Sequence, residues 1–425
     1  MSSILTNNSA MVALQTLKSV NKGMVNIQGQ ISTGMKVASA KDNSAVWAIS
    51  KVMESDVKGF KGISESLALG ESTVAVARQA SETVTDLLTQ MKGKIVASQE
   101  ENVDREKIQA DVDALRGQIG TVVGAAQFNG LNLLSNAEKT AGSGTVNILS
   151  SLDRSTSGVG VSQIAVGKQD LGTSASAITG TAVATATNNM TGAADATAAA
   201  LTGAATAPTT SVTITAVEAG FGYSVAITAG AANFLTGVNT GSVNDISYVA
   251  RDGDTVTDVA EGLVKAFNAY TTEAMGDNVS TVAATNTAGV ITFTGSTTTG
   301  DNFTVTANGY AAAGNTIGGG LASVTDIDIT TDSGAASALT EIETLIQTSI
   351  DAAASFGSVQ SRIETQSDFI GTLTDSLKSG IGTLVDANME EASARLQALQ
   401  VQQQLAVQAM SIANQAPQTL LSLFR

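Results

Sequence analysis

The chain contains no cysteine and no histidine, and only 2 prolines and 1 tryptophan among 425 residues. Each absence excludes a class of chemistry. Without cysteine there is no disulfide framework, thiolate nucleophile, thiolate zinc site or cysteine-held iron–sulfur cluster. Without histidine there is no Ser-His-Asp triad and no imidazole metal ligand. Aromatic residues are only 4%, so Ala, Val, Ile, Leu and Met must fill whatever core exists. Positive charge is also scarce. Lys and Arg number 22 against 38 Asp and Glu, a net charge of −16. Such a chain is repelled by phosphate backbones and by anionic lipid surfaces, so neither nucleic acid nor membrane is expected as a partner. No uncharged apolar run approaches the roughly 18 residues of a membrane span. The opening MSSILTNNSAMVAL lacks a basic segment followed by an apolar one, so no cleaved secretory leader is expected.

The chemistry that remains is sparse. Two S-x-x-K matches occur, Ser19 to Lys22 and Ser55 to Lys58, but both fall on expected helix faces without the partner motifs of acyl-transfer enzymes. In DIDITTDSG, Asp326, Asp328 and Asp332 approach the spacing of a calcium loop. Such a loop needs Gly at its sixth position and Glu at its twelfth, where Thr331 and Ser337 stand. The acidic group Asp252, Asp254, Asp258 and Glu261 is explained by capping and the helix dipole. No catalytic residue, cofactor site or metal site is assigned. Asn7, Asn278 and Asn302 begin N-x-S/T triplets, and the Ser/Thr-rich middle is a candidate for O-linked sugars, a reading that an intact mass of 42.8 kDa would remove.

What the sequence does have is periodicity. Ala10, Ala13, Leu17, Val20, Met24, Ile27, Ile31 and Gly34 recur at alternating spacings of three and four. Phe60, Ile63, Leu67, Gly70, Val74, Ala77, Ser81, Val84, Leu88, Met91 and Ile95 do the same, followed by Ile108, Val112, Leu115, Ile119, Val122 and Ala126. At the other end, Val385, Met389, Ala392, Leu396, Leu399, Gln403, Ala406, Met410 and Ala413 form a seam. A weaker stripe precedes it at Ile342, Ile346, Ala353, Phe356, Ile363, Ile370, Leu377, Ile381 and Leu384. This is the heptad pattern of packed long helices. At 1.5 Å per residue the two terminal seams are about 37 and 44 Å long, which suggests that the chain ends lie side by side.

The middle, about 141–335, is different. It holds 26 of the 41 glycines and, with 4 basic against 15 acidic residues, carries most of the net negative charge. VITFTGSTTTGDNFTVT reads as a hairpin with Ile291 and Phe293 on one arm and Phe303 and Val305 on the other. TSVTIT reads as a strand with Val212 and Ile214 on one face. DTVTDVAEGLVKAFNAY reads as an amphipathic helix opened by Thr255 and Asp258 and buried along Val256, Val259, Leu263 and Phe267. The low-complexity stretch 181–208 reads as loose surface structure. The expected fold is mainly α: long terminal helices forming coiled-coil bundles, with an inserted Gly/Thr/Ala-rich α+β domain that is mostly β.

The terminal helices are apolar on more than one side. Met11, Leu14 and Val25 lie off the first seam, and Val401, Leu405 and Ile412 off the last. No ionised side chain stands between Leu396 and Phe424. A helix apolar on several sides needs neighbours on several sides, more than one intramolecular partner supplies. The chain then ends on Leu420, Leu421, Leu423 and Phe424, an apolar tip following Pro417, where the helix is expected to stop. In a single chain the seam and tip are expected to stand largely exposed until copies assemble.

Several motifs carry a family resemblance. In QISTGMKVASAKDNSAVWAIS, Ser32, Gly34, Lys36, Val37, Ala40 and Asp42 match the flagellin N-terminal signature, with Asn43, Val46 and Trp47 as departures found in alphaproteobacterial flagellins. AAQFNGLNLLS resembles the family's strand-entry motif at Gln127, Phe128, Asn129, Gly130 and Leu134. Ser361 to Glu364 and ANQAPQTLLSLFR match the family's C-terminal region. The segment Leu88 to Ala97 is altered at Gln90 and Lys94 from the form that vertebrate innate receptors read in many flagellins. The resemblance covers about 140 residues at the front and 90 at the back.

It implies a passive structural subunit that polymerises with itself into the helical flagellar filament, is exported through the flagellum's own type III apparatus with an export chaperone, and meets hook-associated and cap proteins. Residues 1–43 and 385–425 would form inner-tube helices, 44–140 and 336–384 an outer-tube bundle, and 141–335 a surface insertion. The residues expected at the polymerisation interface are Leu17, Val20, Met24, Ile27, Ile31, Val385, Met389, Leu396, Leu399, Met410, Leu420, Leu421, Leu423 and Phe424. The alternative is a hook–filament junction protein with similar ends. An enzyme displayed on the filament is a third class, and the absence of histidine argues against a zinc protease in the insertion.

Overall fold

The heptad stripes fall on helices, the last of them starting at the end of one helix and continuing along the next. The computed structural model describes residues 7–155, 158–230, 239–275 and 282–423. Its helices are α1 (Asn8–Thr33), α2 (Ser44–Ala97), α3 (Arg105–Ala125), α4 (Val256–Met275), α5 (Asp332–Val385) and α6 (Met389–Leu423). The chain divides into two compact units. One holds Met1–Glu65, Ser151–Gly160 and Ser367–Arg425; the other holds Ser66–Ser150 and Val161–Gln366.

In the second unit the α2 stripe is buried without exception: Leu67, Gly70, Val74, Ala77, Ser81, Val84, Leu88, Met91 and Ile95. Val112 and Ile119 are the buried centre of the α3 stripe. On α5 the stripe runs through Ile342, Leu345, Ser349, Ala352, Phe356 and Ile363. Ile346 and Ala353, expected on that stripe, are only half-buried beside Leu345 and Ala352. The serines belong there because a hydroxyl is small and finds partners locally. Thr85 Oγ1 donates to Ser349 Oγ at 2.9 Å, and Ser349 Oγ to the Ser81 carbonyl at 3.1 Å.

After α3 the chain makes a tight hairpin, β1 (Gln127–Phe128) with β2 (Leu131–Asn132). Asn129 and Gly130 turn it with φ of 50° and 80°, the both-positive pair that a two-residue hairpin turn requires. Strands β3 (Thr145–Ser155) and β4 (Gly158–Gly167) form a two-stranded sheet. Gly70 lets β3 approach α2: a Cβ there would sit 2.5 Å from the Ile148 side chain.

The insertion is built from β5 (Met190–Gly192), β6 (Ala199–Leu201), β7 (Thr209–Ile214), β8 (Gly222–Ala229), β9 (Ser247–Val249), β10 (Ala283–Thr287), β11 (Val290–Thr294) and β12 (Phe303–Tyr310). They make two antiparallel sheets, in orders β10-β11-β7-β5 and β6-β12-β8-β9. Both pack against α4 around one core that includes Phe267, Phe293, Phe303, Tyr223 and Val305. The capping of α4 is as expected: Asp258 N donates to Thr255 Oγ1, and Thr255 N to Asp258 Oδ2.

Two expectations about the insertion are corrected. Ile291, Phe293, Phe303 and Val305 are all buried, but their strands are not paired. Ala288 and Gly289, with φ of 52° and 85°, form the tight turn that pairs β11 with β10 instead. The longer segment 295–302 lets the chain cross to the other sheet. Nor is 181–208 loose throughout. It supplies β5 and β6, and Met190, Ala194 and Leu201 are buried in the core. Its small residues permit close backbone approach, as where Gly192 lies against Ser211 and Val212. Asn188, itself buried, donates to the Asp195 carboxylate.

At the base of the insertion stands a buried charged group. Arg251 Nε meets Asp170 Oδ2 at 3.3 Å, Nη2 donates to the Gly318 carbonyl at 2.8 Å, and Nη1 to the Tyr248 hydroxyl at 2.9 Å. Gly172 N donates to Asp170 Oδ1, and the Tyr248 hydroxyl to Asp254 Oδ2. Burial pushes the Asp254 carboxyl above its ordinary value, against the hydrogen bonds from Arg251 N–H and Tyr248 that favour the ionised form. The Asp326–Asp332 stretch has a plainer account than a calcium loop. Ile327 and Ile329 are buried, which turns Asp326 and Asp328 outward, and Asp332 pairs with Arg105.

Candidate assembly interface

The two chain ends lie antiparallel. Asn7 reaches Ala413, Asn21 reaches Gln403, Gly23 faces Leu399, and Gly34 meets Ala387. Helix α1 is capped by Asn7, whose side chain accepts from Ala10 N, and α6 by Asn388, which accepts from Glu390 N and Glu391 N. The seams face each other. On α1, Val20 and Ile27 are buried, while Leu17, Met24 and Ile31 are half-buried. On α6, Ala392 and Ala406 are buried and Leu396, Leu399 and Met410 half-buried; Val385, at the end of α5, is buried, and Met389 stays 44% exposed. The expected exposure of the seam in a single chain is thus corrected: each seam is the other's cover. Gln403 sits in the seam without penalty because its Nε2 donates to Asn21 Oδ1 at 2.8 Å.

The connectors at the other end of the pair are also joined. Helix α1 stops at Gly34, which adopts φ of 70°, the left-handed cap that glycine takes without a Cβ penalty. Met35 bridges Asp386, Lys36 N donates to the Val385 carbonyl at 2.6 Å, and Ala387 N to the Gly34 carbonyl at 2.9 Å. Both helix breaks therefore fall at one level and satisfy each other's backbone groups. Val37 is buried, and Asp42 fastens the loop by accepting from Ser39 N and Ser39 Oγ, bonds that hold its carboxyl below the ordinary value. The residues of the signature quoted above thus have local reasons: a positive φ, a buried apolar anchor and a loop clasp. Gly34→Ala should cost about 1 kcal/mol, seen as a lower urea midpoint at unchanged slope. No atom lies near the added Cβ, so the cost is purely conformational.

What the pair leaves uncovered is the larger feature. Val12 is 64% exposed, Val25 66%, Leu405 57% and Ile412 69%, with Met11, Leu14, Val401 and Val407 exposed alongside. Sequence patterning had marked all but Val12 and Val407. An open groove of about 550 Å³ runs between the helices, lined by Val12, Ala13, Thr16, Ala406, Ile412 and Ala413. The side chains of Leu420, Leu421 and Leu423 and all of Phe424 lie outside the described residues. Helix α6, however, is described to Leu423 and so runs through Pro417, where it was expected to end. Ser19, Lys22, Ser55 and Lys58 are exposed on their helices.

The bacterial flagellin N-terminal helical region matches residues 4–139, and the flagellin C-terminal helical region matches 339–424. Flagellin A of Rhizobium meliloti is 36% identical over 433 residues, covering 100% of both chains, and Flagellin B of the same organism is 34% identical over the same span. The chain belongs to the flagellin family. Flagellin FljM of Caulobacter vibrioides is 26% identical over 100% of this chain and 99% of its own length. Among solved structures, FliC from Burkholderia pseudomallei aligns with 69% of this chain and 99% of its own at 16% identity and a TM-score of 0.32. That score is too low to bear on the arrangement. This is an alphaproteobacterial-type flagellin, the structural subunit of the extracellular filament of the bacterial flagellum, which serves swimming motility.

Proposed function

We propose that the α1·α6 pair is the polymerisation element of this flagellin, and that its uncovered apolar face packs against other copies in the filament's inner layer. The observation that supports this is the exposed Val, Leu, Ile and Met on more than one side of both helices, on a stretch of α6 with no ionised side chain from Leu396 onward. A patch of that kind on a soluble chain marks an interaction surface. The seam residues Leu17, Val20, Met24, Ile27, Ile31, Val385, Met389, Leu396, Leu399 and Met410 then act by holding the pair together. Leu420, Leu421, Leu423 and Phe424 are assigned to the same subunit interface on their apolar character alone.

Residues 1–43 and 385–425 are assigned to the inner tube, 44–140 and 336–384 to the outer tube as coiled-coil bundles, and 141–335 to the water-facing surface. The protein's role is mechanical, without catalytic, cofactor or metal sites. Its further partners are hook-associated and cap proteins, an export chaperone and the type III export apparatus. Deleting residues 145–330 should leave chains that still sediment as filaments. Loss of filaments with intact terminal helices would move the interface into the insertion.

A further inference from the structure

A proline inside a helix cannot donate to the carbonyl four residues back. In α6 that carbonyl belongs to Ala413, yet the helix continues through Pro417 to Leu423. The vacant acceptor is filled from the opposite end of the chain: Asn7 Nδ2 donates to the Ala413 carbonyl at 2.8 Å. The same side chain uses its Oδ1 to accept from Ala10 N at 3.1 Å, capping α1. One amide group therefore serves both termini. Few residues could do this. Asp caps equally well but has no donor, and Ser has one short hydroxyl for both tasks. Asn holds an acceptor and a donor on one planar group.

We propose that Asn7 is a positioning residue for filament assembly, supplying the donor that Pro417 lacks, so that α6 beyond Ala413 becomes helical only when α1 is docked beside it. The two chain ends then order together. A C-terminal segment without α1 beside it carries a built-in break, whereas the docked pair presents a continuous helix to neighbouring copies. This rests on the reading that the α1·α6 pair is the polymerisation element, but its test does not require that reading to hold.

The test is a double-variant cycle in the full-length chain, followed by hydrogen exchange of the backbone amides between Ala413 and Leu423. Asn7→Asp keeps the cap, removes the donor and sets a carboxylate oxygen against the Ala413 carbonyl. It should speed exchange on the order of tenfold, the equivalent of about 1.4 kcal/mol. Pro417→Ala restores an N–H that can reach Ala413, and should leave exchange unchanged or slower. The combination Asn7→Asp with Pro417→Ala should return to the rate of Pro417→Ala alone. Rescue by a residue at the far end of the chain is not expected if Asn7 acts only as a cap. Exchange in Asn7→Asp equal to the unaltered chain, or no rescue in the combined variant, overturns the proposal. Where Asn7→Asp also stops filament growth, regrowth in the combined variant supports it and continued failure overturns it.

Discussion

Leu405→Glu should abolish filament growth at concentrations where the unaltered chain polymerises, while the single chain unfolds at the same urea midpoint. Leu405 is 57% exposed in the chain, so a polar replacement disturbs little within it, and surface changes of this kind stay within about 0.5 kcal/mol. Buried between copies, the same change forfeits about 2 kcal/mol of apolar transfer and adds several kcal/mol for desolvating a carboxylate. Each 1.4 kcal/mol is tenfold in the concentration needed for growth, so the threshold should rise by at least about 100-fold. Leu399→Glu makes the opposite control. Leu399 lies in the seam opposite Gly23, so charging it should destabilise the pair in the single chain as well. Sedimentation of filaments and urea denaturation of chains, done on the same two variants, separate these outcomes.

The second large effect is expected in the insertion. Arg251→Leu should destabilise it by about 3–5 kcal/mol, the usual cost of breaking a buried pair from one side. The Asp170 side chain is 6% exposed and would keep only backbone N–H partners, and the Gly318 carbonyl would lose its donor. Asp170→Asn combined with Arg251→Met removes both charges and should recover most of the loss, because the penalty lies in the unpaired charge. The four tyrosines all fall between Tyr223 and Tyr310, whereas the single tryptophan is Trp47. Tyrosine fluorescence should therefore report an early transition in Arg251→Leu, with a smaller shift in tryptophan fluorescence. Coincident shifts of equal size in both signals would show that Arg251 does not act on the insertion alone.

The parts of this molecule that were legible in its sequence are those with a local period. The α2 stripe from Phe60 to Ile95 is buried at every marked position because the spacing of three and four is a property of the helix itself. Helix α4 was legible for the same reason, with its cap. Strand pairing was not. Alternation told which faces of β11 and β12 point inward, but the partner of β11 is decided by the positive φ angles at Ala288 and Gly289, which alternation does not encode. The fate of Pro417 was illegible because the group that fills its vacant acceptor, Asn7, is 406 positions away from that acceptor, Ala413. For the terminal helices, the sequence marked the apolar positions but did not show which of them the chain covers by itself. The pairing of α1 with α6 satisfies the seam within the chain and leaves Val12, Val25, Leu405 and Ile412 outside it.

The absence of cysteine permits a direct measurement. Leu405→Cys carries a single thiol on the uncovered face, and Thr299→Cys carries one on the exposed surface of the insertion. Maleimide labelling of each is followed in dissociated chains and in intact filaments. If the uncovered face of α1·α6 is the surface between subunits, the thiol at 405 reacts in the dissociated chain and is protected in the filament, while the thiol at 299 reacts in both. Equal reaction of the thiol at 405 in filament and dissociated chain would contradict the account.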